Sequence, residues 1–187
     1  MRACVAAAVL AGAAAPAAAG DVRQALAGRT VIVAWSESDR EMDVASGAEY
    51  GYSVKTDARF FFAADGRIVT RYDRTINDKH PFSALETFDA NGALLTGPAS
   101  GVFKIVKVDL APSGLTASLV WGNHGAQQIS VALDPAGKSC VGNFLQGADA
   151  SGATEYVAPV DGKLKRSVSR HVDGVTCWIA PGDAASG

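Results

Sequence analysis

The chain has 187 residues, with 17 Lys and Arg set against 19 Asp and Glu for a formal net charge of −2. That mild acidity argues against a dedicated nucleic-acid or anionic-membrane binder, which needs a basic surface. Twenty glycines and seven prolines, with few long helix-forming runs, point to an all-β domain with many turns.

Residues 1–19 carry the pattern of a cleaved export signal. Arg2 supplies a positive start, Val5 to Ala15 is an apolar run, and Ala17-Ala18-Ala19 before Gly20 fits a cleavage site. The run is too short to span a bilayer, and Cys4 lies before it, which rules out a lipid-modified cysteine at the mature N-terminus. Cleavage after Ala19 leaves 168 residues, suited to one all-β domain over 20–182 with a disordered tail at 183–187. Loss of Arg2 leaves 16 Lys and Arg against 19 acids, a net charge of −3. The expected location is therefore periplasmic or secreted, with no membrane anchor. Cys4 departs with the signal, leaving Cys140 and Cys177 as an even pair without C-x-x-C spacing. In an oxidising compartment such a pair is expected to be bridged, stabilising by at most about 4 kcal/mol.

The first strand is expected over Thr30–Glu37, with Val31, Val33 and Trp35 on one face, and Ser36 to Gly47 reads as a polar loop or ragged strand end. Tyr50, Tyr52 and Val54 mark a second strand and Arg59–Ala63 a third, in which one of Phe60, Phe61 and Phe62 must point away from the other two. Asp65-Gly66 predicts a tight turn into a strand at Ile68–Tyr72. Residues 75–100 are irregular: Ser83 to Glu86 could open a short helix, but Asn91-Gly92 between Leu85–Phe88 and Ala93–Thr96 favours a hairpin.

Gly101 to Val141 is the clearest stretch, reading as three strands joined by turns. In Val102–Leu110, Phe103 and Ile105 lie on one parity and Val106, Val108 and Leu110 on the other, so a bulge is expected near Ile105. Leu115, Ala117, Leu119 and Trp121 alternate with Thr116, Ser118 and Val120, and Ile129, Val131 and Leu133 with Gln128, Ser130, Ala132 and Asp134. Pro112-Ser113-Gly114 and Asp134-Pro135-Ala136-Gly137 supply turns. Gln146 to Ala158 reads as a surface loop, Lys163–Val172 as a basic strand, and Val175, Cys177 and Ile179 as the closing face. The fold expected is all-β, an antiparallel meander forming an up-and-down β-barrel, with a β-sandwich as the alternative.

Chemistry-bearing patterns are sparse. His80, His124 and His171 are too far apart for the usual zinc spacings, so no metal and no cofactor is expected. There is no G-x-S-x-G, and Asp65, Asp73, Asp78 and Glu86 are better explained by turns and neighbouring arginines than by paired-carboxylate chemistry. Lys163, Lys165, Arg166, Arg170 and His171 read as a solvated face or a charged edge. The aromatics suggest more: Trp35, Tyr50, Tyr52, Tyr72 and Trp121 could line a ligand cavity. The expected function is thus an exported non-catalytic β-barrel that binds a small apolar or amphipathic ligand. The alternative is a cell-envelope module that binds or inhibits a protein partner through residues 75–100 and 163–171, and an exported hydrolase ranks third. The G-x-W that lipocalins carry near the first strand is absent, since Gly28 and Trp35 are seven apart, and no family is assigned.

Overall fold

The computed structural model describes residues 22–97, 103–121, 126–146, 155–158 and 161–186; at His80, Phe103, Lys104, Val120, Trp121, Ala126, Leu145, Gln146 and Tyr156 only the backbone is described. The expected export signal and His124 lie outside the described residues. Among the described residues a short helix, α1 (Val22–Leu26), precedes eleven strands. These are β1 (Arg29–Asp43), β2 (Glu49–Phe62), β3 (Ile68–Ile76), β4 (His80–Phe88), β5 (Leu94–Thr96), β6 (Phe103–Ala111), β7 (Gly114–Trp121), β8 (Ala126–Leu133), β9 (Cys140–Gln146), β10 (Glu155–Val157) and β11 (Leu164–Pro181). The molecule is all-β, and its ladders form two antiparallel sheets, β10-β11-β1-β2-β3-β4-β5 and β6-β7-β8-β9.

Three strands are longer than the sequence suggests. β1 continues through the stretch expected to be a loop and ends at Asp43. It does so because β2 and β11 pair with it on both sides: Met42 faces Glu49 on one and Arg166 on the other. The two strands expected at Tyr50–Val54 and Arg59–Ala63 are one, β2, because the small inward residues Thr56 and Ala58 keep the alternation in phase across a polar-looking segment. Phe60 and Phe62 are buried while Phe61 faces the other way. The strands expected at Lys163–Val172 and Val175–Ile179 likewise merge into β11, which accommodates Gly174 by a bulge opposite Trp35, between the pairs Ala34–Thr176 and Ser36–Asp173.

Other expectations hold. The Asp65-Gly66 and Asn91-Gly92 turns join β2 to β3 and β4 to β5, and a register shift between Ile105 and Lys107 lets both Ile105 and Val108 point inward. The segment expected to be a surface loop before residue 158 contains β10, paired with β11 at the sheet edge. Residues 182–186 are tied down: Thr30 Oγ1 donates to Gly182 O (2.7 Å) and accepts from Ala184 N (3.0 Å), and Ala185 is fully buried.

Both sheets contribute to one core. Val31, Val33, Trp35, Phe60, Phe62, Ile68, Tyr72 and Phe88 from the larger sheet pack with Ile105, Leu115, Leu119, Ile129 and Phe144 from the smaller. Each such side chain, fully buried, stabilises by about 1.5–3 kcal/mol. Val22 and Leu26 of α1 pack into the same core beside the start of β1. The sheets are tied to each other along two seams. Cys140 of β9 is bridged to Cys177 of β11, and Gly142 follows so closely that an added Cβ would meet Val33 Cγ1 at 2.9 Å. On the other side, Glu86 of β4 accepts a hydrogen bond from the Ile105 amide of β6 (3.3 Å), and Val108 N donates to Gly92 O (3.4 Å).

Gly92 is doubly constrained: its φ is +80°, and an added Cβ would lie 1.7 Å from Val108 O. Gly92→Ala is therefore expected to lower the free energy of unfolding in urea by about 1–3 kcal/mol. A change within experimental error would show that the turn does not bear on β6.

Candidate functional site

The inward face of β1 changes character at Trp35. Before it come Val31 and Val33; after it come Glu37, Asp39, Glu41 and Asp43, all buried. The Trp35 ring stacks on Phe144 with centroids 4.4 Å apart and meets Tyr72 edge-on at 6.1 Å. Its Nε1–H donates to Glu37 Oε1 at 2.9 Å, so one side chain ends the apolar half and begins the charged one.

The carboxylates are answered mostly from β11. Arg170 Nε lies 3.1 Å from Asp39 Oδ2 and 3.5 Å from Glu37 Oε2, so two acids share one guanidinium. Lys165 Nζ sits 3.2 Å from Asp161 and 3.9 Å from Glu41, and 4.9 Å from the centroid of the Tyr50 ring. Lys163 reaches Asp43 at 3.5 Å, and the Asp43 carboxylate also accepts from the amides of Ala45 and Ser46 in the β1–β2 turn. Tyr52 OH donates to Glu41 Oε1. Arg74 of β3, also buried, acts on the Asp39 charge from a third strand.

Burial decides the ionisation here. It pushes Asp39 up to about 6; Arg170 opposes the rise, Glu37 adds to it, and Arg74 and Tyr52 oppose it more weakly. Burial also raises Tyr52, with the Asp39 and Glu41 charges adding to the effect, and lifts Tyr72 to about 12. Burial alone would lower Arg170, but Asp39 and Glu37 outweigh it and hold the guanidinium charged. Asp43 is pulled below the usual range, chiefly by the Ser46 amide. Asp39 Oδ1 is buried without a hydrogen bond, as is Gln127 Oε1 on the inward face of β8, whereas Glu37 Oε2 has its ion pair with Arg170. Each such acceptor costs about 1–3 kcal/mol.

The five aromatic residues singled out from the sequence divide between the two halves. Trp35 and Tyr72 are packed together in the core, Tyr50 and Tyr52 stand among the charges, and the side chain of Trp121 lies outside the described residues. Of the basic run, Lys165 and Arg170 are turned inward and answer the acid row, whereas Lys163, Arg166 and His171 are exposed, with Arg166 paired to Glu155 and His171 Nε2 3.0 Å from Asp173. Sequence reasoning missed Glu37, Asp39 and Glu41 as interior residues, although their spacing of two continues that of Val31, Val33 and Trp35. Of the four carboxylates weighed for paired-acid chemistry, Asp65 holds its own turn, Asp73 pairs with Arg71, Asp78 with Lys55, and Glu86 bridges a seam. Among the described residues no three of His, Cys, Asp and Glu are grouped to hold a metal ion. Comparison with protein-family models, curated proteins and solved structures finds no match.

The Asp39 shift has a testable sign. Its ordinary value is 3.8, so between about pH 4 and 6 the folded protein holds a proton that the unfolded chain releases. Stability from this group therefore falls as pH rises through that window, by roughly 3 kcal/mol at most. The lowered carboxyls Asp43, Asp65, Asp134, Asp161 and Asp183 act in the opposite direction and below about pH 4. Urea unfolding of the native protein and Asp39→Asn from pH 4 to 7 should show the decline reduced in the variant. Identical pH profiles would contradict the assignment.

Proposed function

We propose that this chain is an exported, non-catalytic β-barrel that binds a small amphipathic ligand in the interior between its two sheets. The observation that carries the reading is the change along the inner face of β1, from Val31, Val33 and Trp35 to the buried row Glu37, Asp39, Glu41 and Asp43. An interior built only for stability is best filled with apolar side chains, because buried ion pairs gain little over well-packed hydrophobic residues of similar volume. An interior with an apolar half and a charged half matches a ligand with a tail and a polar head.

The barrel reading is supported by the two seams, where the Cys140–Cys177 bridge joins β9 to β11 and the Glu86–Ile105 and Gly92–Val108 contacts join the other edges. Export is supported by the signal-like residues 1–19 together with the disulfide. None of the described helices is long and apolar enough to cross a membrane. One observation favours the second reading, a module that binds a protein partner: β5 ends the larger sheet with Leu94 and Leu95 exposed, and Leu85 of β4 is exposed beside it.

Native mass spectrometry of the protein exported to the periplasm of an expression host tests the choice. A reproducible small adduct that survives gentle ionisation and leaves on denaturation is expected. A protein that arrives empty from several hosts would count against the ligand reading and for the interaction module.

A further inference from the structure

The outer face of the larger sheet carries a cleft of about 420 Å³ across β11, β1, β2 and β3, within the usual range of ligand sites, about 300–1,000 Å³. It exists because side chains there are small. Around the bulge of β11 the cleft is lined by Gly174 and Thr176, and on β1 by Ala34 and Ser36. A Cβ added at Gly174 would meet nothing within 4 Å. On β2 and β3 the face rises to the longer Lys55, Asp57 and Asp73.

Strand register sets the outward residues in rows. Thr176, Ala34, Asp57 and Asp73 form one row across the four strands, and Trp178, Ile32, Arg59 and Arg71 form the next. Trp178 is therefore the neighbour of Thr176 on the same face, at one end of the cleft, and it is 44% exposed. With strands about 4.8 Å apart, the rows run roughly 14 Å from β11 to β3.

The polar groups are fixed before any ligand arrives. Arg59 Nε donates to Asp57 Oδ1 (2.9 Å), Arg71 Nε donates to both oxygens of Asp73 (3.1 and 2.9 Å), and Ser83 Oγ donates to Asp73 Oδ1 (2.6 Å). The Asp57 and Asp73 side chains still keep 31% and 29% of their surface exposed, and a carboxylate so placed can accept further bonds. Lys55 pairs with Asp78 at 2.9 Å, so three cations, Lys55, Arg59 and Arg71, balance three acids, Asp57, Asp73 and Asp78.

We infer that this cleft binds a neutral oligosaccharide, with one sugar ring laid on the Trp178 indole and the following hydroxyls bonded to Asp57, Asp73 and Lys55. A sugar ring has an apolar C–H face and a rim of hydroxyls that both donate and accept. An exposed indole beside fixed carboxylates and an ammonium group is its complement. The span from Trp178 to Asp73 calls for several rings rather than one. A charged ligand fits less well, because the ion pairs already neutralise one another and it would have to displace a partner. A peptide adding as a strand fits no better, since β1, β2 and β3 are paired on both sides and offer no free edge. The cleft lies on the opposite face of β1 from the acid row and is independent of the proposed interior ligand.

Amide-correlation NMR of the native protein with maltohexaose, cellohexaose, chitohexaose and mannohexaose, and with hexagalacturonate as the charged control, tests it. At about 5 mM at least one neutral hexaose should shift the Trp178 indole N–H and the amides of Ser36, Gly174 and Thr176, while those of β6 to β9 stay in place. Trp178→Ala and Ser36→Gln, which alter exposed side chains only, should each weaken that binding about tenfold or more. The assignment is overturned if none of the four neutral sugars shifts these signals, if the charged hexamer shifts them as strongly, or if binding survives both substitutions.

Discussion

β1 is held on both sides along its length, by β2 from Arg29 to Met42 and by β11 from Arg29 to Asp43. A strand so placed cannot rotate its side chains between faces, because a one-residue slip would turn Val31, Val33 and Trp35 outward together with everything after them. The apolar start of the strand therefore dictates the fate of its acidic end. Once Val31 and Val33 are in the core, Glu37, Asp39, Glu41 and Asp43 must be inside as well. The rest of the interior answers that constraint.

The answer is mostly electrostatic and mostly supplied by β11. Arg170, opposite Asp39 in register, takes two carboxylates, and Lys165, opposite Asp43, reaches toward Glu41 and Asp161. These pairs limit a cost and are a weak source of stability, for desolvation offsets much of their attraction. Stability instead comes from the other half, where Trp35, Phe144, Tyr72, Phe60 and Phe62 pack together and α1 lies against the core. The two halves meet at the Trp35 indole, stacked on Phe144 and hydrogen-bonded to Glu37. Under the proposed function the division has a purpose: one half would hold the fold together and the other would hold a ligand.

Much of the fold was legible in the sequence. Alternation in Leu115–Leu119 and Ile129–Leu133, the Asp65-Gly66 and Asn91-Gly92 turns, the bulge at Ile105 and the Cys140–Cys177 bridge are local signals, or depend on composition alone, and the structure contains all of them. What was missed depends on partners distant in sequence. Glu37 to Asp43 looks like a loop because carboxylates are presumed wet, and pairing to Lys165–Val172, about 130 positions later, together with β2 on the other side makes it a strand interior. The same presumption made Lys165 and Arg170 look like surface. Of the expected lining, Trp35 and Tyr72 pack in the core while Tyr50 and Tyr52 lie in the charged half, a split that turns on where the inner face becomes acidic.

The account is tested most directly by replacing Glu37→Leu, Asp39→Leu, Arg74→Met and Arg170→Met together, so that no buried charge is left without its counter-charge, and measuring urea unfolding at pH 7. If the charges serve a ligand, the apolar interior should unfold cooperatively with a midpoint at or above that of the native protein. A quadruple variant that fails to fold, or is less stable by several kcal/mol, would mean that the charged half holds the sheets together and would contradict the functional division.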